Sequence, residues 1–150
     1  MVEAEVSATD IRRAAMDCLA RREHSRLELV RKLEKKFGDH AALIEQELSR
    51  LASEGLQSDA RLAEAFIGSR SGRGQGPVKI RMELRARGIG DEMISLAFEQ
   101  CGVDWFRLAE KVARKKFGDI ESGELQERAR VSRFLQQRGF SHDHISGVYR

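Results

Sequence analysis

Apolar residues along this chain recur at helical spacing, and glycines cut the pattern at regular intervals. Ser7 and Asp10 have the spacing of a capping box, which predicts a helix running to about Arg22. Ser25 and Glu28 repeat that signal, and Leu29, Val30, Leu33 and Phe37 then fall at i, i+1, i+4 and i+8 along one helix face. Gly38 is expected to end this helix in the left-handed conformation. Ala41, Ile44, Leu48 and Leu51 form the stripe of a third helix, closed by Gly55. The next stretch opens at Ser58 or Asp59, with Leu62, Ala63, Phe66 and Ile67 facing inward. Ser69 to Pro77 holds three glycines and reads as a flexible loop. Pro77 suits the first turn of the following helix, where its missing N–H costs nothing, and Ile80 and Leu84 face inward until Gly88. Ile94, Ala97, Phe98 and Cys101 line another helix. Further on, Trp105, Leu108, Ala109 and Val112 line one more, and Val131 and Leu135 mark a helix that stops at Gly139. A short last helix carries Ile145, Val148 and Tyr149. Nothing alternates with period two over a useful length, so the predicted class is all-α.

The same pattern is written about three times. Ile80, Leu84, Arg87, Gly88, Ile89, Ile94 and Phe98 reappear as Val131, Leu135, Arg138, Gly139, Phe140, Ile145 and Tyr149, each 51 positions later. A looser copy precedes them by 50, with Gly38, Ile44, Leu48 and Leu51 matching Gly88, Ile94, Phe98 and Cys101. Repeats of this length imply a modular array. The predicted organisation is a flexible tail over 1–8 and three-helix units over 9–56, 57–102 and 103–150. A unit of about 50 residues barely holds a core alone, so neighbours are expected to pack end to end as an elongated, curved rod. Arrays of this kind offer long surfaces to large partners and seldom build a catalytic pocket.

Composition changes this picture little. The chain of 150 residues has one proline, 34% charged residues and 6% aromatics, which suits exposed helices. Cys18 and Cys101 stand apart with no CxxC pair, which points to reduced thiols. No apolar run approaches the roughly 20 residues that span a bilayer and no signal peptide opens the chain, so a cytoplasmic protein is expected. The net charge of +3 permits a polyanionic partner without demanding one. Distribution says more. From Arg70 to Arg87 the basic residues Arg70, Arg73, Lys79, Arg81, Arg85 and Arg87 face Glu83 alone. A second basic run holds Arg107, Lys111, Arg114, Lys115 and Lys116.

The segment from Gly72 to Pro77 has the glycines of a phosphate loop but lacks the Gly-Lys-Ser/Thr ending and the strand before it. His142 and His144 lie two apart, a spacing that does not bring side chains together on a helix, and no Cys–His or Ser–His–Asp grouping is recognisable. No enzyme, no cofactor and no metal is expected. Arg81 and Arg85 share a stripe away from the Ile80/Leu84 face, and arginine favours multi-donor recognition of carboxylates or phosphates. Arg87 is the weaker candidate, because Glu83 four residues earlier can pair with it. A basic helix within a three-helix block is also similar to helix-turn-helix DNA readers, but few side chains here could contact base edges. A non-specific DNA-binding protein without a protein target is the alternative reading.

Several residues together resemble the RecX regulators of the RecA recombinase, from about Ile11 to the end of the chain. The pieces are Leu19 to Glu23, Ser25 with Glu28-Leu29 and Lys32-Leu33, then Leu51, Gly55 and Asp59. Ala63, Phe66 and Arg70 follow, then Gly76-Pro77, Ile80, Glu83-Leu84, Gly88-Ile89 and Ile94. The resemblance implies a monomeric all-helical protein that binds the RecA–DNA filament along its groove. Such binding limits filament extension and suppresses ATP hydrolysis, strand exchange and coprotease activity. On this reading Arg70, Arg73, Lys79, Arg81 and Arg85 meet the filament, touching acidic RecA side chains or the phosphates of bound single-stranded DNA. Arg133 and Arg138 form a second anchor, and Leu33, Phe66, Leu84 and Leu135 are structural. The first repeat departs from the pattern by an extra residue between Leu33 and Gly38.

Overall fold

The computed structural model describes residues 5–120 and 124–149, and among these every regular element is a helix. The order is α1 (Ala8–Arg21), α2 (Arg26–Phe37), α3 (Ala41–Ser53), α4 (Asp59–Gly72), α5 (Pro77–Ala86), α6 (Asp91–Gln100), α7 (Trp105–Phe117), α8 (Leu125–Gln137) and α9 (His142–Gly147). Of the expected tail, residues 1–4 lie outside the described residues, and α1 begins at Ala8 because Ser7 caps it. Both predicted capping boxes form: the Ser7 and Ser25 hydroxyls accept from the N–H of Asp10 and Glu28, whose carboxylates reach back. Each such cap is worth about 1 kcal/mol.

Each consecutive trio of helices closes around its own core. Ile11, Leu29, Leu33, Ile44, Leu48 and Leu51 are buried in the first, with Phe37 at its edge. Leu62, Phe66, Ile67, Ile80, Leu84 and Ile94 fill the second. The third is smaller, with Ala109 and Ala113 where the second has Ala63 and Ile67. Trp105, Leu108 and Val112, expected inside, are only half-buried against that core. Trp105 packs against the second core as well, its ring 5.7 Å from that of Phe98.

Two expectations about glycine fail. The loop expected over Ser69 to Pro77 is helical as far as Gly72, leaving a turn at residues 73–76. Gly68 and Gly72 sit on an exposed helix face with open space around them, where glycine weakens the helix without ending it. Nor is the turn loose, because its backbone is bonded to the third unit. Gly38 ends α2 in the right-handed region (φ −53°), so the left-handed turn seen at Gly88 and Gly139 is absent there.

The repeat explains how the units join. The α5–α6 turn of the second unit sits on the N-terminus of α2, and the α8–α9 turn of the third sits on the N-terminus of α5. At the first joint the Ser25 hydroxyl donates to the Arg87 carbonyl at 2.6 Å, and Leu27 covers Gly88. At the second the Gly76 N–H donates to the Arg138 carbonyl at 2.7 Å, and the Val78 N–H to the Gly139 carbonyl at 2.9 Å. Ser25 and Gly76, Leu27 and Val78, Arg87 and Arg138, and Gly88 and Gly139 are all 51 positions apart. One head-to-tail interface is therefore used twice, the heterologous type that could in principle continue. The third unit does not offer it in the same form. α8 begins at Leu125, before the positions that match Gly76 and Pro77, so helix stands where the second unit has its turn.

Candidate partner-binding surface

The outer face of α5 carries Val78 and Met82, 45% and 63% exposed, beside the basic residues. Arg81 lies flat over Phe98, 4.3 Å from the ring centre, which buries its stem and fixes its guanidinium at the α5–α6 edge. Arg85 is exposed and donates to Asp91 at 2.8 Å. Such a surface pair is worth little and can be exchanged for another carboxylate. Arg81 and Arg85 lie four apart on one helix, as their spacing implies, whereas Val78 and Met82 carry no sequence signal, because an exposed apolar residue beside a core stripe looks like any other apolar residue.

The other predicted residues do not share that face. Arg70 covers Phe66 at 4.6 Å and approaches Glu83 at 4.0 Å. Lys79 is half-buried in the second joint, against Gly139. Arg133 is exposed on α8, at the position matching Met82. Arg87, expected to pair with the Glu83 side chain, instead lies over Phe66 at 4.5 Å, 3.9 Å from the Glu28 carboxylate, and bonds only the Glu83 carbonyl. Burial opposes charge on Glu28, yet the bonds from the Arg22 guanidinium (2.7 Å) and the Ser25 N–H hold its carboxyl below the usual range.

Arg73 and Arg138 meet at a separate place. The Arg138 guanidinium donates to the Arg73 carbonyl at 3.3 Å, and both side chains line a cleft of about 580 Å³ between the second and third units. The opposite wall is α7, whose Lys111, Lys115 and Lys116 come from the second basic run. Val103, Leu108 and Val112 make the floor, with Phe134 beneath Lys116 (5.8 Å) and Arg138 (5.2 Å). No Asp or Glu lines this cleft among the described residues.

A chain of three-helix blocks joined through one repeated interface, with exposed cations beside it, is a protein of the helical-repeat class. Comparison with known proteins places it further. Residues 58–97 match the model of the RecX second three-helix domain, and residues 103–148 match that of the third. The chain is 47% identical to the regulatory protein RecX of Pseudomonas fluorescens over 136 residues, covering 91% of this chain and 87% of that one. It is 42% identical to that of Halorhodospira halophila over 145 residues, covering 97% and 89%. The crystal structure of RecX from Lactobacillus salivarius superposes with a TM-score of 0.81 at 20% identity, over 94% of this chain and 93% of that chain. The protein belongs to the RecX family, whose members are named regulatory proteins. No helix among the described residues is long and apolar enough to cross a membrane.

Proposed function

We propose that this protein is a negative regulator of RecA that binds the RecA–DNA filament and suppresses its ATPase, strand-exchange and coprotease activities. It acts as a cytoplasmic monomer and not as an enzyme. The observation that carries the reading is the twice-used joint. It sets α5 and α8 in matching places on successive units, so two outer faces can meet two successive protomers of a periodic partner. Weak contacts held on one scaffold add through effective concentration, and only an assembled filament aligns both. On α5 the contact is made by Arg81 and Arg85 around Met82, with Arg70 and Lys79 behind. On α8 it is made by Arg133, with Arg73 and Arg138 at the joint. Any contact with bound single-stranded DNA comes from the same arginines.

The test is steady-state ATP hydrolysis by RecA on single-stranded DNA, titrated with this protein at two salt concentrations. Binding to naked DNA is measured in parallel. Loss of hydrolysis far below the concentrations that coat bare DNA supports filament regulation. Inhibition only at DNA saturation, fading steeply with salt, overturns it in favour of non-specific phosphate binding. The Arg81→Ala/Arg85→Ala variant should inhibit about tenfold less well with an unchanged helical circular-dichroism signal. Equal inhibition would remove α5 from the contact.

A further inference from the structure

The two joints differ in where their carboxylates come from. At the first, Glu23, Glu28 and Glu83 stand among the arginines: Glu23 bonds Arg61 at 3.1 Å, Glu28 bonds Arg22 at 2.7 Å, and Glu83 faces Arg70. The residues 51 positions on are Gly74, Lys79 and Phe134. Every one of these acids is gone from the second joint, while cations are kept at the positions of Arg22, Arg70 and Arg87, as Arg73, Lys116 and Arg138. Lys111 and Lys115 add two more. The polar residues Gln57 and Asp59, which bond His24 and Arg26 across the first joint, correspond to Val103 and Trp105, just before α7 and at its start, 46 positions on. The second joint is thus left with five cations around an apolar floor.

We propose that this cleft is a docking site for an acidic peptide segment of a partner protein. Its carboxylates take the places that Glu23, Glu28 and Glu83 hold at the first joint, and one apolar side chain seats on Val103, Leu108 and Val112. The volume is in the range that encloses small ligands and short peptide segments. A nucleic acid strand fits less well. Phe134, the only ring lining the cleft among the described residues, already lies beneath Lys116 and Arg138 and meets Phe117 edge-on at 5.5 Å, so it does not offer a free stacking platform. The floor also has no polar side chain with which to read a base edge. Because the cleft is walled by both units, a bound peptide would brace the second joint as the internal ion pairs brace the first. The cleft shares Arg73 and Arg138 with the filament reading, but the peptide assay contains no RecA, so its failure is distinguishable from the failure of that reading.

Fluorescence anisotropy of the full chain with a short labelled peptide of alternating glutamate and leucine tests it. Polyglutamate of equal charge and oligothymidylate serve as competitors. The expected result is that the mixed peptide binds at least about tenfold more tightly than polyglutamate, a gap of about 1.4 kcal/mol. Lys111→Glu/Lys115→Glu and, separately, Arg73→Glu should each weaken it about tenfold with unchanged thermal unfolding. The variants alter exposed residues on two different elements, so a folding defect in one leaves the other informative. Equal affinity for polyglutamate, displacement by oligothymidylate at lower concentration than by the peptide, or unchanged binding by both variants would each overturn the site.

Discussion

At the first joint the Arg87 carbonyl takes its hydrogen bond from the Ser25 hydroxyl, whereas the matching Arg138 carbonyl takes it from the Gly76 main-chain N–H. The difference spreads outward from that bond. With a side-chain donor there, the first contact is completed by Asp59 accepting from the Arg26 N–H, by Gln57 on the His24 carbonyl and by ion pairs. A main-chain donor draws the second pair together until backbone meets backbone. Pro77 stands where Arg26 has its N–H, so no Asp is needed opposite, and Trp105 occupies that place. One repeated interface has produced a polar, self-neutralised joint and a tight joint with an open basic cleft beside it. Repetition fixes which positions meet, while the residues placed there decide the chemistry.

The tightness of the second joint can be broken most severely at Gly139. Its φ is +94°, and a β-carbon there would press into the Lys79 backbone, with the amide nitrogen at 2.8 Å. Gly139→Ala should cost about 3 kcal/mol or more, combining overpacking with a left-handed conformation that alanine resists. Gly88→Ala, at the matching position, meets the Leu27 Cβ and Cδ2 at 2.6 Å, so α2 has to give as well, but no main-chain atom is among its nearest neighbours and the loss should be smaller, about 2 kcal/mol. Urea unfolding midpoints of the two variants check this. Equal losses would mean that the joints are equally close.

The first joint holds a buried histidine that the second lacks. His24 is buried, with Nδ1 3.1 Å from the Arg22 carbonyl and Nε2 2.9 Å from the Lys32 ammonium, so the neutral ring is the one that fits. Burial lowers its pKa below the ordinary 6.5, against the Arg22 carbonyl bond, and the charges of Arg22 and Lys32 lower it further while Glu28 pulls the other way. The unfolded chain therefore takes up this proton first. Stability is full above about pH 6.5 and is lost as the pH falls through the folded-state value. The residue 51 positions on is Gln75, which does not titrate. His24→Gln should flatten the slope of unfolding free energy between about pH 7 and 5, leaving the contribution of His144, which burial also lowers. An unchanged slope would show that His24 is not what makes the first joint acid-sensitive.

Much of this architecture was legible in the chain. Capping boxes, stripes and the 51-residue offset are local or periodic signals, and they placed the helices and the three cores. The flexible loop expected over Ser69 to Pro77 fails because glycine signals freedom in a sequence, whereas Gly76 and Gly139 serve a close approach between segments 63 positions apart. A β-carbon at Gly76 would sit 2.5 Å from the Gly139 carbonyl, a reason that only the folded joint supplies. The candidate surface was half legible. Arg81 and Arg85 share a face through helical spacing, but Arg73, Arg138, Lys111 and Lys115 come together only because the third unit docks where it does. Their runs were visible in the sequence, and their meeting was not.

The smallest change in stability is expected from moving one acid from the first joint to the second. Lys79 matches Glu28, whose carboxylate lies 2.7 Å from Arg22 and 3.9 Å from Arg87. Lys79→Glu should bring a carboxylate toward Arg73 and Arg138, the counterparts of those arginines. The β-carbon stays where it is, so Gly139 meets no new clash. Unfolding free energy should change by no more than about 0.5 kcal/mol, since the new pair is only partly buried. Binding of the glutamate–leucine peptide should nevertheless drop about tenfold, because Arg73 and Arg138 are then paired with one of the protein's own carboxylates. If stability and peptide affinity are both unmoved, the two joints do not share an electrostatic layout, and the likeness between them ends at the backbone.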